Sequence, residues 1–504
     1  MSVPKRLIVV SNRLPVTVEK TASSYELAPS SGGLVTALSP IVRETGGCWI
    51  GWTGTDFDPE VERQIRETVL QEGCKLVPVF LTEQERRNFY CGFANEVIWP
   101  LFHDLQSRCN FEPVYWESYC EVNEKYADSL VAIARKGDFV WVHDYHLMML
   151  ADCLNDRSIR ARLAYFHHIP FPPPDIFEKL PWRTDILRAL LKFSIVGFQT
   201  ARDQRNFMHC LRRFLPYTRV RRIGNGVLVR SHDHGTMLGT FPIGIDFNEF
   251  AHAAESRQIA ERAAEIKQTF SGTMILGVDR LDYTKGIPER LKAFRLLLET
   301  RSELRGRATL MQIVVPSRED IPRYRELTRD IEHLVSGING QFGGPGWVPV
   351  HFLHRQVPRC ELLAYYRAAD IALVTPLKDG MNLVAKEYCA AQVEERGVLI
   401  LSEFAGAAAQ LRAGALIVNP YDSDGLADAI ARGCAMSSEE RVARMRNMRQ
   451  IVRTQDVFRW CQSFYRAANF KTEDTAVEFW LPKSPQVTTL TSPIAAWRHA
   501  AGAF

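Results

Sequence analysis

Two loops hold charged and polar side chains directly after apolar runs. In TPLKDGMNLVAKEY, residues 375–388, the run 371–374 gives way to Lys378, Asp379, Gly380 and Asn382, and Glu387 follows early in the next amphipathic stretch. A helix starting just after Gly380 presents free backbone N–H groups and a positive dipole end, which suits a phosphate. Gly380 permits close approach of the backbone to a ligand. Asp379 and Asn382 can bond sugar hydroxyls, and the two oxygens of Glu387 match the paired hydroxyls of a ribose. A nucleotide sugar explains this set. A capped helix start with a surface glutamate explains it too. The second loop, VDRLDYTKGIPER, places Arg280 and Lys285 after another apolar run, with Gly286 beside the lysine. Two cations near one helix start can neutralise a departing diphosphate. Ion pairs with Asp279 and Asp282 are the plain alternative.

The first half of the chain offers other groups. SNRLP puts Arg13 at a strand end, and SSGGL supplies two adjacent glycines before a helix. HDYHL sets Asp144 between His143 and His146, and FHHIPFP adds His167 and His168. That His spacing does not match a helical H-x-x-x-H metal pair, and no cysteine pair assists it. Binding of sugar hydroxyls fits these residues better than a metal, and satisfied structural histidines remain the alternative for each ring.

The elements that must position these groups follow one theme: a short β-branched run, a loop of special residues, then an amphipathic stretch. RLIVVSNRLP, DFVWVHDYHL, ARLAYFHHIPFP and FSIVGFQT carry it in the first half. GTMILGVDRLDYTKG, TLMQIVVPSRE, IALVTPLKDGMN and GVLILSEFAG carry it in the second. Near-continuous apolar strands alternating with helical patterns predict parallel sheets covered on both faces. Four units in each half suit two doubly wound α/β domains, whose ligands sit beyond the carboxyl ends of the strands. The boundary is expected near FPIGIDFNEF, residues 241–250, so that residues 1–245 and 246–460 form the two domains. Residues 461–504 are expected to add a helix returning to the first domain and an irregular tail. TRVRRIGNGVLVRSH reads as a hairpin turning at Gly224 and Asn225, with its arginines on a solvated face or facing a ligand.

Composition excludes several classes. A 504-residue chain is too long for one core, and a formal charge of +4 gives no case for nucleic acid or an acidic membrane. Eleven cysteines without a C-x-x-C argue against a zinc site or a secreted disulfide framework. The apolar stretch after the first basic pair is too short for a signal peptide or a membrane span, so a cytoplasmic location is expected.

Taken in order, SNRLP, GGL, WPLFH, HDYHL, HHIPFP, RLDYTKG and DGMNLVAKEY resemble the trehalose-6-phosphate synthases, with the similarity running from about residue 7 to about 465. The resemblance implies two Rossmann-like domains facing across a cleft (the GT-B fold) and retaining transfer of glucose from UDP-glucose to glucose 6-phosphate. It implies that Gly32 and Gly33 touch the donor and that Arg280 and Lys285 hold its diphosphate. Asp379 and His168 bind the donor glucose, Leu383 and Val384 offer backbone amides, and Glu387 takes the ribose. Val357 falls where the uracil is met. For the acceptor, Arg13, Tyr90 and Arg318 clamp the 6-phosphate, while Trp99 and Asp144 orient the sugar. The mechanism implied is front-face attack with the leaving phosphate taking the acceptor proton, and it needs no metal or cofactor. A homo-oligomer is expected. A sister group resembled by FHHIPFPPPDIFEKLPWR, the glucosylglycerol-phosphate synthases, uses glycerol 3-phosphate and an ADP-linked donor. SNR and Arg318 favour the glucose 6-phosphate acceptor. A catalytically silent regulatory homologue is the remaining alternative, against which the intact donor loops argue.

Overall fold

A computed structural model of the chain describes residues 6–469, apart from 21–24, 30–32, 56, 68, 71–73, 155–156, 158, 225, 232–233, 271 and 319–320. The first half supplies twelve strands: β1 (Leu7–Arg13), β2 (Val16–Lys20), β3 (Tyr25–Pro29), β4 (Cys48–Trp52), β5 (Val69–Leu70), β6 (Cys74–Val79), β7 (Phe139–His143), β8 (Arg162–His167), β9 (Ile195–Phe198), β10 (Arg219–Ile223), β11 (Gly226–Ser231) and β12 (His234–Thr240). Ten of them form one sheet in the order β10-β11-β12-β9-β8-β7-β1-β4-β6-β5, while β2 and β3 make a separate ribbon. From β12 across to β6 every pairing is parallel. The second half adds β13 (Thr273–Arg280), β14 (Ala308–Val315), β15 (Val350–His354), β16 (Ile371–Val374), β17 (Val398–Ser402) and β18 (Leu416–Val418). They form an all-parallel sheet in the order β15-β14-β13-β16-β17-β18.

The burial of the central strands explains why they read as unbroken apolar runs. β7, β9, β16 and β17 are buried at every position, as parallel strands with helices on both faces must be. β1, and β13 from Met274 on, are buried until their last residues, Arg13 and Arg280, which emerge at the carboxyl ends.

Eight strand–loop–helix units are legible in the sequence, and the structure contains more parallel strands than that. β4 (CWIGW) and β6 (CKLVPV) contain Gly, Lys or Pro, β15 (VHFLH) alternates with histidine, and β18 has three residues. None presents a β-branched run long enough to stand out. The hairpin does form: β10 pairs antiparallel with β11, and Gly224 adopts φ 54°. Its second turn residue, Asn225, lies outside the described residues. Arg219 and Arg222 are exposed on the edge strand β10, the solvated alternative.

The chain passes between the sheets twice, and the two crossings touch. Residues 241–246 connect β12 to the helix Phe247–Glu255. The chain returns at 455–457, where the Val457 N–H donates to the Ile245 carbonyl at 3.1 Å. A Cβ on Gly244 would stand 2.5 Å from the Gln455 carbonyl oxygen, so only glycine fits. The helix Val457–Ala468 then lies on the first sheet, with Phe464 stacked on Trp141 at 4.4 Å and Trp460 4.9 Å from the same ring. No helix among the described residues is long and apolar enough to cross a membrane.

Candidate active site

The carboxyl ends of β8, β9, β13 and β16 meet at a cavity of about 440 Å³ between the sheets. His168 and Gln199 line it from the first sheet, Ile243 from the connector, and Arg280, Lys285, Asp379, Asn382, Leu383, Val384 and Glu387 from the second. The helix Leu383–Ala391 starts here, capped by Asn382, whose side chain accepts from the Ala385 N–H at 3.4 Å. The N–H groups of Leu383 and Val384, in the first turn, have no intrahelical acceptor. Lys285 Nζ donates to Asp379 Oδ2 at 2.6 Å, and Asn382 Nδ2 reaches the same oxygen at 3.2 Å. Burial raises the Asp379 carboxyl, but Lys285 outweighs it and holds the group below its ordinary range. Burial pushes Glu387 up, against the hydrogen bond from the Tyr366 hydroxyl at 3.0 Å. Arg280 is exposed and makes no hydrogen bond or ion pair among the described residues.

A second cluster bridges the two lobes: Arg13, Tyr90 and Trp99 come from the first, and Arg318, Asp282 and Tyr324 from the second. Arg13 sits 3.9 Å above the Trp52 ring and 5.7 Å from that of Tyr90. Tyr90 rides on a π-helix, Arg86–Ile98, a winding rare enough to point to a local function. Burial lifts the Tyr90 hydroxyl, and the charges of Arg318 and Arg13 outweigh it, leaving its pKa lowered. Arg318 lies 4.6 Å over the Trp99 ring, donates to the Tyr324 hydroxyl at 2.7 Å and pairs with Asp282 at 3.2 Å. Its Nε is buried without an acceptor. Asp144 accepts from the His168 N–H at 3.3 Å, and burial raises its pKa to about 7 against that bond and the charges of Arg280 and Arg318. Three cations therefore face a shared space.

Backbone strain concentrates at the same place. Asp144 (φ 75°), Arg318 (φ 54°) and Asn382 (φ 76°) all hold the left-handed region, which costs about 1–3 kcal/mol for a residue with a Cβ. Asp144 directly follows β7, Arg318 lies in the loop beyond β14 and Asn382 caps the helix Leu383–Ala391, so these backbones are held at some expense around the cleft.

Several sequence readings change. Gly380 does not make room for a ligand: a Cβ there would stand 2.0 Å from the His168 carbonyl oxygen, so the close approach is between the two lobes. Lys285 pairs with Asp379 rather than Asp279 or Asp282. Asp279 is instead bound to the fully buried Arg290 at 2.6 Å, and Asp282 to Arg318. The Trp99 N–H is spent on Asp282 at 3.3 Å, which leaves its ring face to Arg318. His167 is satisfied by the Tyr165 hydroxyl and the Pro170 carbonyl, the structural alternative. Val357 is buried in the loop after β15 and is not among the residues lining the cavity. Gly33 begins the helix Gly33–Glu44, whose Leu34 lines the cavity, whereas Gly32 lies outside the described residues. Sequence reading missed Trp52, Gln199, Tyr324 and the 2.6 Å bridge from Lys378 to Asp104 across the cleft. Trp52 lies at the end of a strand that was itself missed, and neither Gln199 nor Tyr324 belongs to a charged motif.

A family model for glycosyltransferase family 20 matches residues 5–469. The bifunctional trehalose-6-phosphate synthase/phosphatase of Thermoproteus tenax is 42% identical over 471 residues, covering 91% of this chain; the chain spans 63% of that relative's length. Among solved structures, an E. coli one named for trehalose-6-phosphate and bound with UDP-2-fluoro glucose superposes with a TM-score of 0.83 at 36% identity. It covers 92% of this chain and 99% of its own. The α,α-trehalose-phosphate synthase (UDP-forming) of Burkholderia xenovorans, in complex with glucose-6-phosphate, gives 0.83 at 35% identity with the same coverage. The two facing parallel sheets are thus those of the GT-B architecture. With a match that runs through both sheets and every loop lining the cleft, the chain belongs to glycosyltransferase family 20.

Proposed function

We propose that this chain is an α,α-trehalose-6-phosphate synthase, which transfers glucose from UDP-glucose to glucose 6-phosphate with retention at the anomeric carbon. The observation that carries the reading is the pairing of two cationic sites across one cleft. Arg280, Lys285 and the start of the helix Leu383–Ala391 make one, and Arg13 and Tyr90 from the first lobe with Arg318 from the second make the other. The first set suits a diphosphate and the second a phosphomonoester. The two solved relatives are bound with a UDP-glucose analogue and with glucose 6-phosphate, the two kinds of ligand this reading calls for.

In this reading Asp379 and His168 hold the donor glucose and Glu387 the ribose, Leu383 and Val384 offer backbone amides, Gly32 and Gly33 touch the donor, and Val357 meets the uracil through its main chain. Trp99 and Asp144 orient the acceptor. We assign the acceptor side mainly to residues 1–245, with Arg318 reaching in from 246–460, and the donor side mainly to 246–460, with His168 reaching in from 1–245, in a cytoplasmic homo-oligomer.

The carboxylates lining the cavity bear on mechanism. Asp279 is committed to Arg290, Asp379 to Lys285 and Asn382, and Glu387 to Tyr366. A double displacement needs a carboxylate beside the anomeric carbon, and each of these already holds a protein partner. Front-face displacement fits better. The bond from the anomeric carbon to the phosphate oxygen breaks as the acceptor hydroxyl oxygen bonds that carbon from the same side, and the hydroxyl proton passes to the leaving phosphate. Arg280, Lys285 and the helix start stabilise the charge that develops there.

The test is a matrix of UDP-, ADP- and GDP-glucose against glucose 6-phosphate and glycerol 3-phosphate, read by product mass. The expected product is a phosphorylated disaccharide from UDP-glucose and glucose 6-phosphate. A glucosylglycerol phosphate as the main product, or no transfer from any donor, would overturn the reading.

A further inference from the structure

His143, the last residue of β7, is fully buried, and no role has been given to it so far. Its Nδ1 lies 3.1 Å from Nε2 of His168, and the two rings are 5.3 Å apart between centroids. The other nitrogen of His168, Nδ1, lies 3.4 Å from Nε2 of Gln199. Gln199 Oε1 in turn accepts from the backbone N–H of Ile243, on the connector between the lobes, at 2.9 Å. The far end of that residue is held too: its carbonyl accepts from the buried Lys386 at 2.5 Å.

The proton positions along this chain follow from one fixed donor. A backbone N–H can only donate, so Gln199 must turn its oxygen to Ile243 and its amide nitrogen to His168. That nitrogen donates, so Nδ1 of His168 accepts and carries no proton. The ring proton of a neutral His168 is then on Nε2, from which it donates to Nδ1 of His143. Both rings are neutral: burial holds the pKa of His168 down at about 3 and that of His143 well below its ordinary value. His143 keeps its own proton on Nε2, which has no acceptor among the described residues. The fold tolerates that orphan group beside the rings of Trp141 and Trp460, 4.9 and 6.3 Å away.

His168 and Gln199 line the donor cavity, and His143 does not. The nitrogen of His168 on the cavity side is thus Nδ1, an acceptor whose present partner is at 3.4 Å and easily displaced. We propose that Gln199, fixed by Ile243 and with His143 as the acceptor beyond, is a positioning residue that presets His168 as the Nε2–H tautomer, so that His168 meets the donor hexose as a hydrogen-bond acceptor for a sugar hydroxyl. The donor half of this inference rests on the function proposed above; the tautomer half does not.

The experiment uses the full chain labelled with ¹⁵N at histidine and free of ligand. Long-range ¹H–¹⁵N spectra separate protonated from bare ring nitrogens, and the signals missing from His168→Gln identify His168. The expected spectrum shows Nε2 protonated and Nδ1 bare from about pH 6 to 8. Gln199→Met removes the fixed donor and is expected to shift the His168 ring toward a mixed tautomer. It should also lower kcat/KM for UDP-glucose about tenfold, the value of one hydrogen bond, with KM for glucose 6-phosphate unchanged. His143→Leu, which leaves the Gln199 donor in place, should keep the ring protonated on Nε2. A wild-type ring protonated on Nδ1 overturns the inference without any variant, as does a folded Gln199→Met variant with unchanged His168 signals and donor kinetics. An Nε2–H ring in a protein that transfers from no nucleotide sugar supports the tautomer and overturns the proposed function instead.

Discussion

Replacing Gly380 by alanine tests whether the two lobes need their present separation. The added methyl would stand 2.0 Å from the His168 carbonyl oxygen and 3.0 Å from Ile169 Cα, where ordinary contact begins at 3.4 Å. The loop holding Gly380 cannot retreat. The Asp379 N–H donates to Phe404, Gly406 donates back to Asp379, and Ala407 donates to Met381, at 2.7 to 3.3 Å. Behind it, a Cβ on Gly406 would already stand 1.9 Å from the Gly380 carbonyl oxygen. The displacement must therefore open the cleft, moving His168 away from Asp379 by roughly 1 Å, a misplacement that costs about 10²-fold in rate. The overpacking itself costs about 1–3 kcal/mol of stability. Initial rates with UDP-glucose and glucose 6-phosphate should show kcat/KM down about 10²-fold. Calorimetry should show UDP binding little changed, because Arg280, Lys285 and the helix Leu383–Ala391 move together. A Gly380→Ala enzyme with wild-type kcat/KM and unchanged unfolding midpoint would refute this account of the closed cleft.

Arg280→Ala and Lys285→Ala should each lower turnover by about 10²- to 10³-fold through lost stabilisation of the leaving group. Only Lys285→Ala should also lose stability, by about 3 kcal/mol, because it leaves Asp379 unpaired; denaturant melts separate the two. Arg318→Ala should weaken glucose 6-phosphate about 10- to 100-fold and leave UDP affinity intact in calorimetry; equal losses for both ligands would reject its placement on the acceptor side. For Asp144, burial raises the pKa from 3.8 to about 7. The folded value is the higher one, so its contribution favours folding fully below about pH 4 and is lost as pH rises through about 7. Asp144→Asn should therefore be more stable than wild type at pH 8, by on the order of 4 kcal/mol at most, and no more stable at pH 4. Urea titrations at the two pH values decide it.

The part of this molecule legible in its sequence is the part where local chemistry and burial agree. β1, β7, β13 and β16 announce themselves because both faces are covered, and the charged residues that end them mark the cleft directly. β4 was lost because Gly51 interrupts it, and Trp52, the platform for Arg13, was lost with it. Partner choice was also illegible. Asp279 and Asp282 stand one and two residues from Arg280, yet they pair with Arg290 and Arg318, because parallel strand ends bring distant loops closer than sequence neighbours. Gly380 reads as a ligand glycine until the second lobe is present. Nothing in one loop specifies what will face it.

The claim beneath all of this is that one cleft holds a sugar nucleotide and a sugar phosphate at the same time. A crystal structure of the protein with UDP and glucose 6-phosphate tests it most directly. The expected map places the diphosphate between Arg280, Lys285 and the amides of Leu383 and Val384, and the 6-phosphate between Arg13, Tyr90 and Arg318. A 6-phosphate bound away from Arg13 and Arg318, or a diphosphate that leaves Lys285 paired only with Asp379, would contradict it.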